Sequence, residues 1–243
     1  MELTVVEARD LSEAWFVCLR RVLEKGYDYR IQRGSYAGER RKELDYIVVH
    51  IEHPESRPLV PDVPAGVPVP TSMDYIEDYL PYLMTAHKKE GEQYTYGQYL
   101  EEQIASVIRM YREDGYNTNQ AFMAVGDAAS LKLSDPPCLL AIDTRIRYGK
   151  LHFICYFRSW DLWAGFPSNL AAIQLLKEYM ADEIGVGDGE IIVSSKGMHL
   201  YEYAWEQAYA AARMTDLGDG QMELPFEPGG NGHRKQEEGS DLN

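Results

Sequence analysis

The sequence predicts an α+β fold: a single domain in which a mixed β-sheet packs on a buried central helix, with further helices around it. Three observations point there. Strand-like and helix-like runs succeed one another without strict βαβ alternation, which disfavours a doubly wound sheet. The segment Asn169–Gly185 spreads Leu170, Ile173, Leu176, Tyr179, Met180 and Ile184 over a broad apolar face, as expected of a helix enclosed on most sides. Neither a GxGxxG turn nor a Walker loop occurs, so the common nucleotide-cradling sheets are not indicated. A chain of 243 residues is long enough to bury a sizeable core.

The elements follow in order. Leu11-Ser12-Glu13 opens a helix with Ser12 as its cap, and Ala14, Phe16, Val17, Leu19 and Val22 carry it to Gly26. Arg33 to Arg41 reads as a Gly- and Arg-rich loop. Tyr46–Ile51, rich in β-branched residues, is a strand. Residues 54–72 hold six prolines and read as an extended crossing, too apolar for a flexible linker. Tyr99–Tyr111 is an amphipathic helix with Leu100, Ile104, Val107, Ile108 and Tyr111 on one face. Strands are expected around 139–147, 151–157 and 190–194. The broad-faced helix ends at Gly185, and a last helix covers Leu200–Arg213. From Gly229 the chain is polar and Gly-rich, so the domain is residues 1–228 and residues 229–243 form a disordered tail.

Composition narrows the function. A net charge of −15 disfavours nonspecific nucleic-acid binding, which needs a positive surface, but leaves room for a small anion held by local arginines. No apolar run approaches the ~20 residues that span a bilayer, and no secretory signal pattern opens the chain. The cytoplasm is the expected compartment and no membrane is expected as a partner. Three scattered cysteines make no disulfide framework, and the absence of a CxxC pair gives no metal site. Cys18 and Cys155 fall in helix and strand patterns and belong to the core.

Cys138 differs. It follows Asp135-Pro136-Pro137 and opens the run Leu139-Leu140-Ala141-Ile142, while Tyr148-Gly149-Lys150 turns the chain back through Leu151–Phe157 to Arg158. Two strands joined this way bring a thiol and a guanidinium to one end of a sheet. A cysteine attacks as the thiolate, and a nearby arginine draws its pKa from about 8.5 toward neutral. A small buried hydrophobe is the plain alternative for any single cysteine. Arg158-Ser159 pairs a fork donor with a hydroxyl, a set suited to phosphate. Asn169 either caps its helix or reads a carbonyl and N–H on a base edge, since its amide both donates and accepts. His199 and Tyr201 can reach a sugar hydroxyl, or be structural. Arg33 can clamp an anion, or be a solvated loop charge.

These segments together, Pro137-Cys138, Gly149-Lys150-Leu151, Arg158-Ser159-x-Asp161, Gly165-x-Pro167-x-Asn169-x-Ala171 and His199-Leu200-Tyr201, resemble thymidylate synthase in order and spacing over residues 94–205. Tyr94-Thr95-Tyr96-Gly97, Gly115-Tyr116-x-Thr118-Asn119-Gln120 and Phe157–Trp163 are similar to the archaeal-type branch of that family, as are residues 26–93 in flavour. The resemblance implies the thymidylate synthase-like α+β fold and reductive methylation of dUMP at C5 to dTMP. Cys138 would add to C6 of the uracil ring, and Asn169 would hold O4 and N3 of the base. Arg158 and Ser159 would bind the 5′-phosphate. His199 and Tyr201 would hold the 3′-hydroxyl, and Asp161 would orient base or cofactor. The one-carbon carrier would be of the methylene-tetrahydrofolate or methylene-tetrahydromethanopterin type, without metal.

Some positions depart from the family pattern. The upstream arginine pair that reaches a partner subunit's phosphate is Asn117-Thr118-Asn119-Gln120 here, which argues against a shared-site dimer and leaves monomer or homodimer open. The histidine after the cysteine is Leu139, and the apolar closing C-terminus is polar. Glu77 is the candidate for the general acid, or else a helix-surface residue. A pyrimidine-nucleotide hydroxymethylase is the alternative chemistry, and a non-catalytic nucleotide-binding regulator the alternative of another class.

Overall fold

The computed structural model describes residues 1–34, 36–216 and 222–223. In chain order the elements are β1 (Leu3–Ala8), α1 (Leu11–Lys25), β2 (Tyr27–Arg30), β3 (Arg40–Glu43), β4 (Tyr46–Ile51), α2 (Met73–Met84), α3 (Gly97–Asp114), β5 (Phe122–Ala124), β6 (Leu139–Arg147), β7 (Lys150–Phe157), β8 (Trp160–Asp161), α4 (Gly165–Ile184), β9 (Gly187–Ser195), β10 (Met198–Tyr201), α5 (Trp205–Ala212), β11 (Thr215–Asp216) and β12 (Met222–Glu223). Among the described residues no helix is long and apolar enough to cross a membrane.

A six-stranded mixed sheet runs β1-β4-β9-β7-β6-β5, with β1–β4 and β7–β9 parallel and the other pairs antiparallel. Its strands alternate in burial, so each has one face in the core and one in solvent. The core face carries Val6, Ile47, Val49, Phe153, Cys155, Phe157, Ile191 and Val193, all buried. Helix α4 lies on it and also packs on α1, α2 and α3, which makes it the central helix. Thirteen of its residues are buried, and each large aliphatic one among them stabilises the fold by roughly 1.5–3 kcal/mol. One of the thirteen is Lys177, whose ammonium reaches Asp188 at 2.8 Å and the carbonyl of Gly189, so its charge is paired where it is buried.

Two features position the site. The β6–β7 hairpin turns through Tyr148 (φ 55°) and Gly149 (φ 72°), both left-handed as a two-residue hairpin turn demands. Its far end pairs Leu139 with Phe157, which brings Cys138 and Arg158 level. A second sheet, β2-β3-β10-β8, sets Tyr201 opposite Arg41 and His199 beside Asp161.

The strands at 46–51 and 139–147 fall where the sequence places them, and residues 54–72 hold no helix or strand. Other elements differ. Asp10, not Ser12, caps α1, because its carboxylate accepts the N–H of Glu13. Helix α4 begins at Gly165, so Asn169 lies inside the helix and is not its cap. Leu200 and Tyr201 are in a strand, since Leu200 pairs with Lys42, and the helix there starts only at Trp205. Arg40 and Arg41 belong to β3 and not to the loop before it. The polar stretch 229–243 lies outside the described residues.

Candidate active site

At the open end of the β6–β7 hairpin lies a cavity of about 900 Å³ lined by Cys138, Arg158, Ser159, Asp161, His199, Tyr201 and Arg33, together with Arg41 and Lys196. The backbone joins the two central groups directly: the Arg158 N–H donates to the Cys138 carbonyl at 2.8 Å. The Arg158 guanidinium then wraps the proline loop. Its Nε donates to the Pro137 carbonyl (2.9 Å), its Nη2 donates to the Pro136 carbonyl, and Asp135 sits 3.3 Å away. Arg158 therefore shapes the loop that carries the thiol as well as facing the cavity.

The Cys138 thiol departs from the sequence expectation. Burial pushes its pKa up; Arg158 and Arg41 pull it down, while Asp135 and Asp161 add to the rise. Burial wins, so the thiol of the free protein sits above its ordinary value and is not drawn toward neutral. Cys18 and Cys155 are fully enclosed in the core, and burial lifts the Cys155 pKa to about 12.

His199 is almost wholly buried. Its Nδ1 donates to the Gly197 carbonyl at 2.8 Å, which makes Nε2 the acceptor. That Nε2 has no hydrogen-bond partner among the described residues. Burial, then Arg41 and Arg158, pull the ring's pKa down to about 3, so it stays neutral at ordinary pH. The ring meets Tyr201 edge-on at 4.7 Å, and Tyr201 in turn is stacked by Tyr36 at 4.2 Å. Tyr36 shares its loop with Arg33, so this stack ties the loop to the cavity wall. Arg33 itself is exposed at the rim.

Asp161 borders the first cavity and a second of about 550 Å³. Its carboxylate accepts the N–H groups of Trp163, Ala164 and Gly165 at 3.1–3.2 Å, satisfying donors at the start of α4. Burial raises its pKa against the pull of those three bonds.

Asn169 opens on the second cavity with Tyr75, Tyr79 and Gly165. Its Oδ1 accepts from the Trp160 indole N–H at 3.0 Å, and its Nδ2 donates to the Tyr79 hydroxyl at 2.8 Å. Gly165 keeps room beside this amide: a Cβ there would lie 3.3 Å from the Asp161 Cβ and 3.8 Å from Asn169 Oδ1. Glu77 is exposed on α2 and borders neither cavity, which makes it a helix-surface acid and not part of the cluster. The same helix presents Tyr79 instead.

Sequence reasoning missed Tyr79, Trp160, Arg41 and Tyr96, whose hydroxyl receives the Leu139 N–H at 3.3 Å. Trp160 and Tyr96 sit within motifs that the sequence made visible, but nothing in their spacing signals a role. Arg41 looked like loop charge; it is held by the Tyr29 hydroxyl at 2.6 Å and by Glu43 at 2.8 Å. Among the described residues no group of three or more His, Cys, Asp or Glu is placed to hold a metal ion.

The family model described as thymidylate synthase matches residues 82–227, more than half of the chain and a span containing Cys138, Arg158, Asn169 and His199. A protein of Methanosarcina acetivorans named "Putative thymidylate synthase" is 28% identical over 83% of this chain and 91% of its own length. Proteins with the same name from Methanococcoides burtonii (28% identical, 84% of this chain and 92% of theirs) and Methanothermobacter thermautotrophicus (26%, 84% and 96%) are similar throughout. The match runs over the hairpin, the buried helix and the strand that together build the cavity, and the mixed sheet around them is the α+β arrangement that those motifs implied. The chain belongs to the thymidylate synthase family.

Proposed function

We propose that this protein methylates dUMP at C5 to give dTMP, through addition of Cys138 to C6 of the uracil ring. The observation that carries the reading is convergence: a cysteine, an arginine–serine pair and a neutral histidine nitrogen without a hydrogen-bond partner among the described residues border one cavity, and an orientable amide opens on the adjoining one. Each matches one part of a pyrimidine nucleotide. Arg158 and Ser159 would take the phosphate, with Arg33 at the rim as a further cation. His199 Nε2 would accept a sugar hydroxyl, and Tyr201 would stand beside it. Asn169 would read O4 and N3–H, and would stabilise the negative charge that reaches O4 once the thiolate has added to C6. C5 is then nucleophilic, forms its bond to the one-carbon unit, and loses its proton before Cys138 leaves.

The second cavity fits a flat heteroaromatic ring. Tyr75 and Tyr79 stack with centroids 6.3 Å apart along one wall, and Asp161 can accept N–H groups at the seam. A reduced pterin of the folate or methanopterin type would supply the carbon and the hydride. The chain's own contribution is to hold the nucleotide, exclude water and orient the base. A homodimer fits the open face of the large sheet, and a cytoplasmic setting fits the substrate.

The test is tritium release from C5-tritiated dUMP with each carrier, together with identification of the product. We expect tritiated water and dTMP. Cys138→Ala should abolish release while leaving nucleotide binding within about tenfold, because the phosphate and base contacts persist. Full activity in that variant would overturn the mechanism, and a 5-hydroxymethyl product would assign the hydroxymethylase reaction. Binding without release by any carrier would assign a regulator.

A further inference from the structure

Trp160 and Tyr79 hold the two ends of the Asn169 amide, but they are not equivalent partners. An indole N–H only donates, whereas a phenol both donates and accepts. Trp160 donates to Asn169 Oδ1 at 3.0 Å, and Asn169 Nδ2 donates to Tyr79 at 2.8 Å. With the amide turned over, its N–H₂ would face the indole N–H, donor against donor. Tyr79 would simply reverse roles and donate to the oxygen. The hydroxyl therefore tolerates either orientation, and of these two partners only the indole excludes one.

The indole is itself fixed. Trp160 is 2% exposed, lies face to face on Phe157 (4.1 Å, 3°) and leans on Phe166 (4.6 Å). Its backbone N–H donates to the Gly197 carbonyl at 2.9 Å, and β8 pairs it with Met198. Nothing in this packing lets the ring rotate to present another edge.

We infer that Trp160 is the specificity-determining residue for the base, selecting uracil over cytosine by fixing which way the Asn169 amide faces. The inference rests on the reading of this site as a pyrimidine-nucleotide site. In the observed orientation the amide keeps one N–H and one oxygen lone pair free of partners among the described residues. These complement a C4 carbonyl and an N3–H. Turned over, the same amide complements a C4 amino group and a bare N3. Asn169 alone cannot choose between uracil and cytosine; the choice belongs to the residue that sets its orientation. Trp160 acts through Asn169 and is a positioning residue.

Binding of dUMP and dCMP to the full chain by titration calorimetry tests this without requiring turnover. We expect the parent to favour dUMP. Trp160→Phe keeps the ring stack and deletes the donor, and should lower the dUMP-to-dCMP affinity ratio by at least about tenfold, mostly by improving dCMP. Tyr79→Phe should weaken both nucleotides by similar factors and leave the ratio in place. A merely structural role for Trp160 would lower both affinities together. An unchanged ratio in Trp160→Phe, with dUMP still bound by the parent, overturns the inference and spares the function. A ratio moved equally by Tyr79→Phe overturns it too, as does a parent that prefers dCMP. A parent that binds neither nucleotide sinks the proposed function and this inference together. If Trp160→Phe does not fold, Trp160→Leu gives the same reading. If neither folds, proton NMR of the parent decides: a strong Overhauser contact between the indole proton and the Asn169 amide protons would show the opposite orientation and overturn the inference.

Discussion

Cys138 is more buried than its chemistry prefers. Burial raises the thiol's pKa, and the Arg158 guanidinium is the main charge opposing that rise. The sign follows: remove Arg158 and the pKa climbs further, so the thiolate fraction at any pH below it falls. Arg158→Ala should shift the pH profile of Cys138 alkylation by iodoacetamide to higher pH. It should also weaken nucleotide binding by roughly 2–3 kcal/mol, the loss expected of charge-assisted bonds. The arginine has a second task, since it holds the carbonyls of Pro136 and Pro137. Comparing nucleotide with nucleoside separates the two, because loop loosening weakens both and phosphate loss weakens only the nucleotide. An equal effect on both would mean that Arg158 does not touch the phosphate. Bound nucleotide should slow alkylation, by occluding the thiol and by neutralising the arginine beside it.

Helix α4 is the element that joins fold to site. Its body fills the core, while its first turn lines the second cavity, next to Asp161, which borders both. Gly165 stands there with ordinary helical geometry, so its role is space and not backbone freedom. Gly165→Ala should leave the melting temperature unchanged or slightly raised, because alanine favours a helix over glycine by up to about 1 kcal/mol. The added methyl would crowd Asp161 and occupy the space beside the Asn169 amide. Turnover should fall at least about tenfold, with the Michaelis constant of the carrier rising more than that of the nucleotide. Unaltered kinetics would mean that no ligand occupies that space. This helix also shows how far sequence reading reaches. Its buried face was legible because one periodic pattern spans four turns. Its start was not, because its first donors are satisfied by Asp161 four residues before Gly165, outside any local capping pattern. The β6–β7 hairpin was legible for the same local reason: apolar runs flank a two-residue turn, and Cys138 and Arg158 follow from its length. Strands β2, β3 and β10 were hidden. Their charged or mixed residues form a sheet only by pairing across the chain, as Arg41 does with Tyr201. The partners of the Asn169 amide were equally invisible: Tyr79 lies 90 positions away, and Trp160, although nine positions away, has no spacing that signals the bond.

At the scale of the whole molecule, the described residues leave one face of the large sheet uncovered. Register places Leu3 and Val5 of β1, Tyr46 and Val48 of β4, Ile192 of β9, Ile154 and Tyr156 of β7 and Phe122 of β5 on that side. Leu3, Val5, Phe122, Ile154 and Ile192 are exposed. Six strands about 4.8 Å apart and about 10–30 Å long give a face of roughly 600–700 Å², close to the roughly 800 Å² that each partner buries in a standard interface. The polar residues on this face already answer one another: His50 lies 2.6 Å from Glu7 and 2.8 Å from Glu190. Burial pulls the His50 pKa down, but these two bonds outweigh it and the net shift is upward, so the group can be covered as a charge-paired unit. A second copy is the occupant that suits this surface, because the same apolar row meets itself across a twofold axis without needing a basic partner for an acidic chain. Sedimentation velocity should show a dimer for the parent. Ile192→Lys, on a central strand and already exposed, should leave the fold's melting transition in place and give a monomer, because each copy would then bury an added ammonium beside the already paired His50 group. A monomeric parent at micromolar concentration would remove the homodimer. A dimer unaffected by Ile192→Lys would place the interface on another surface.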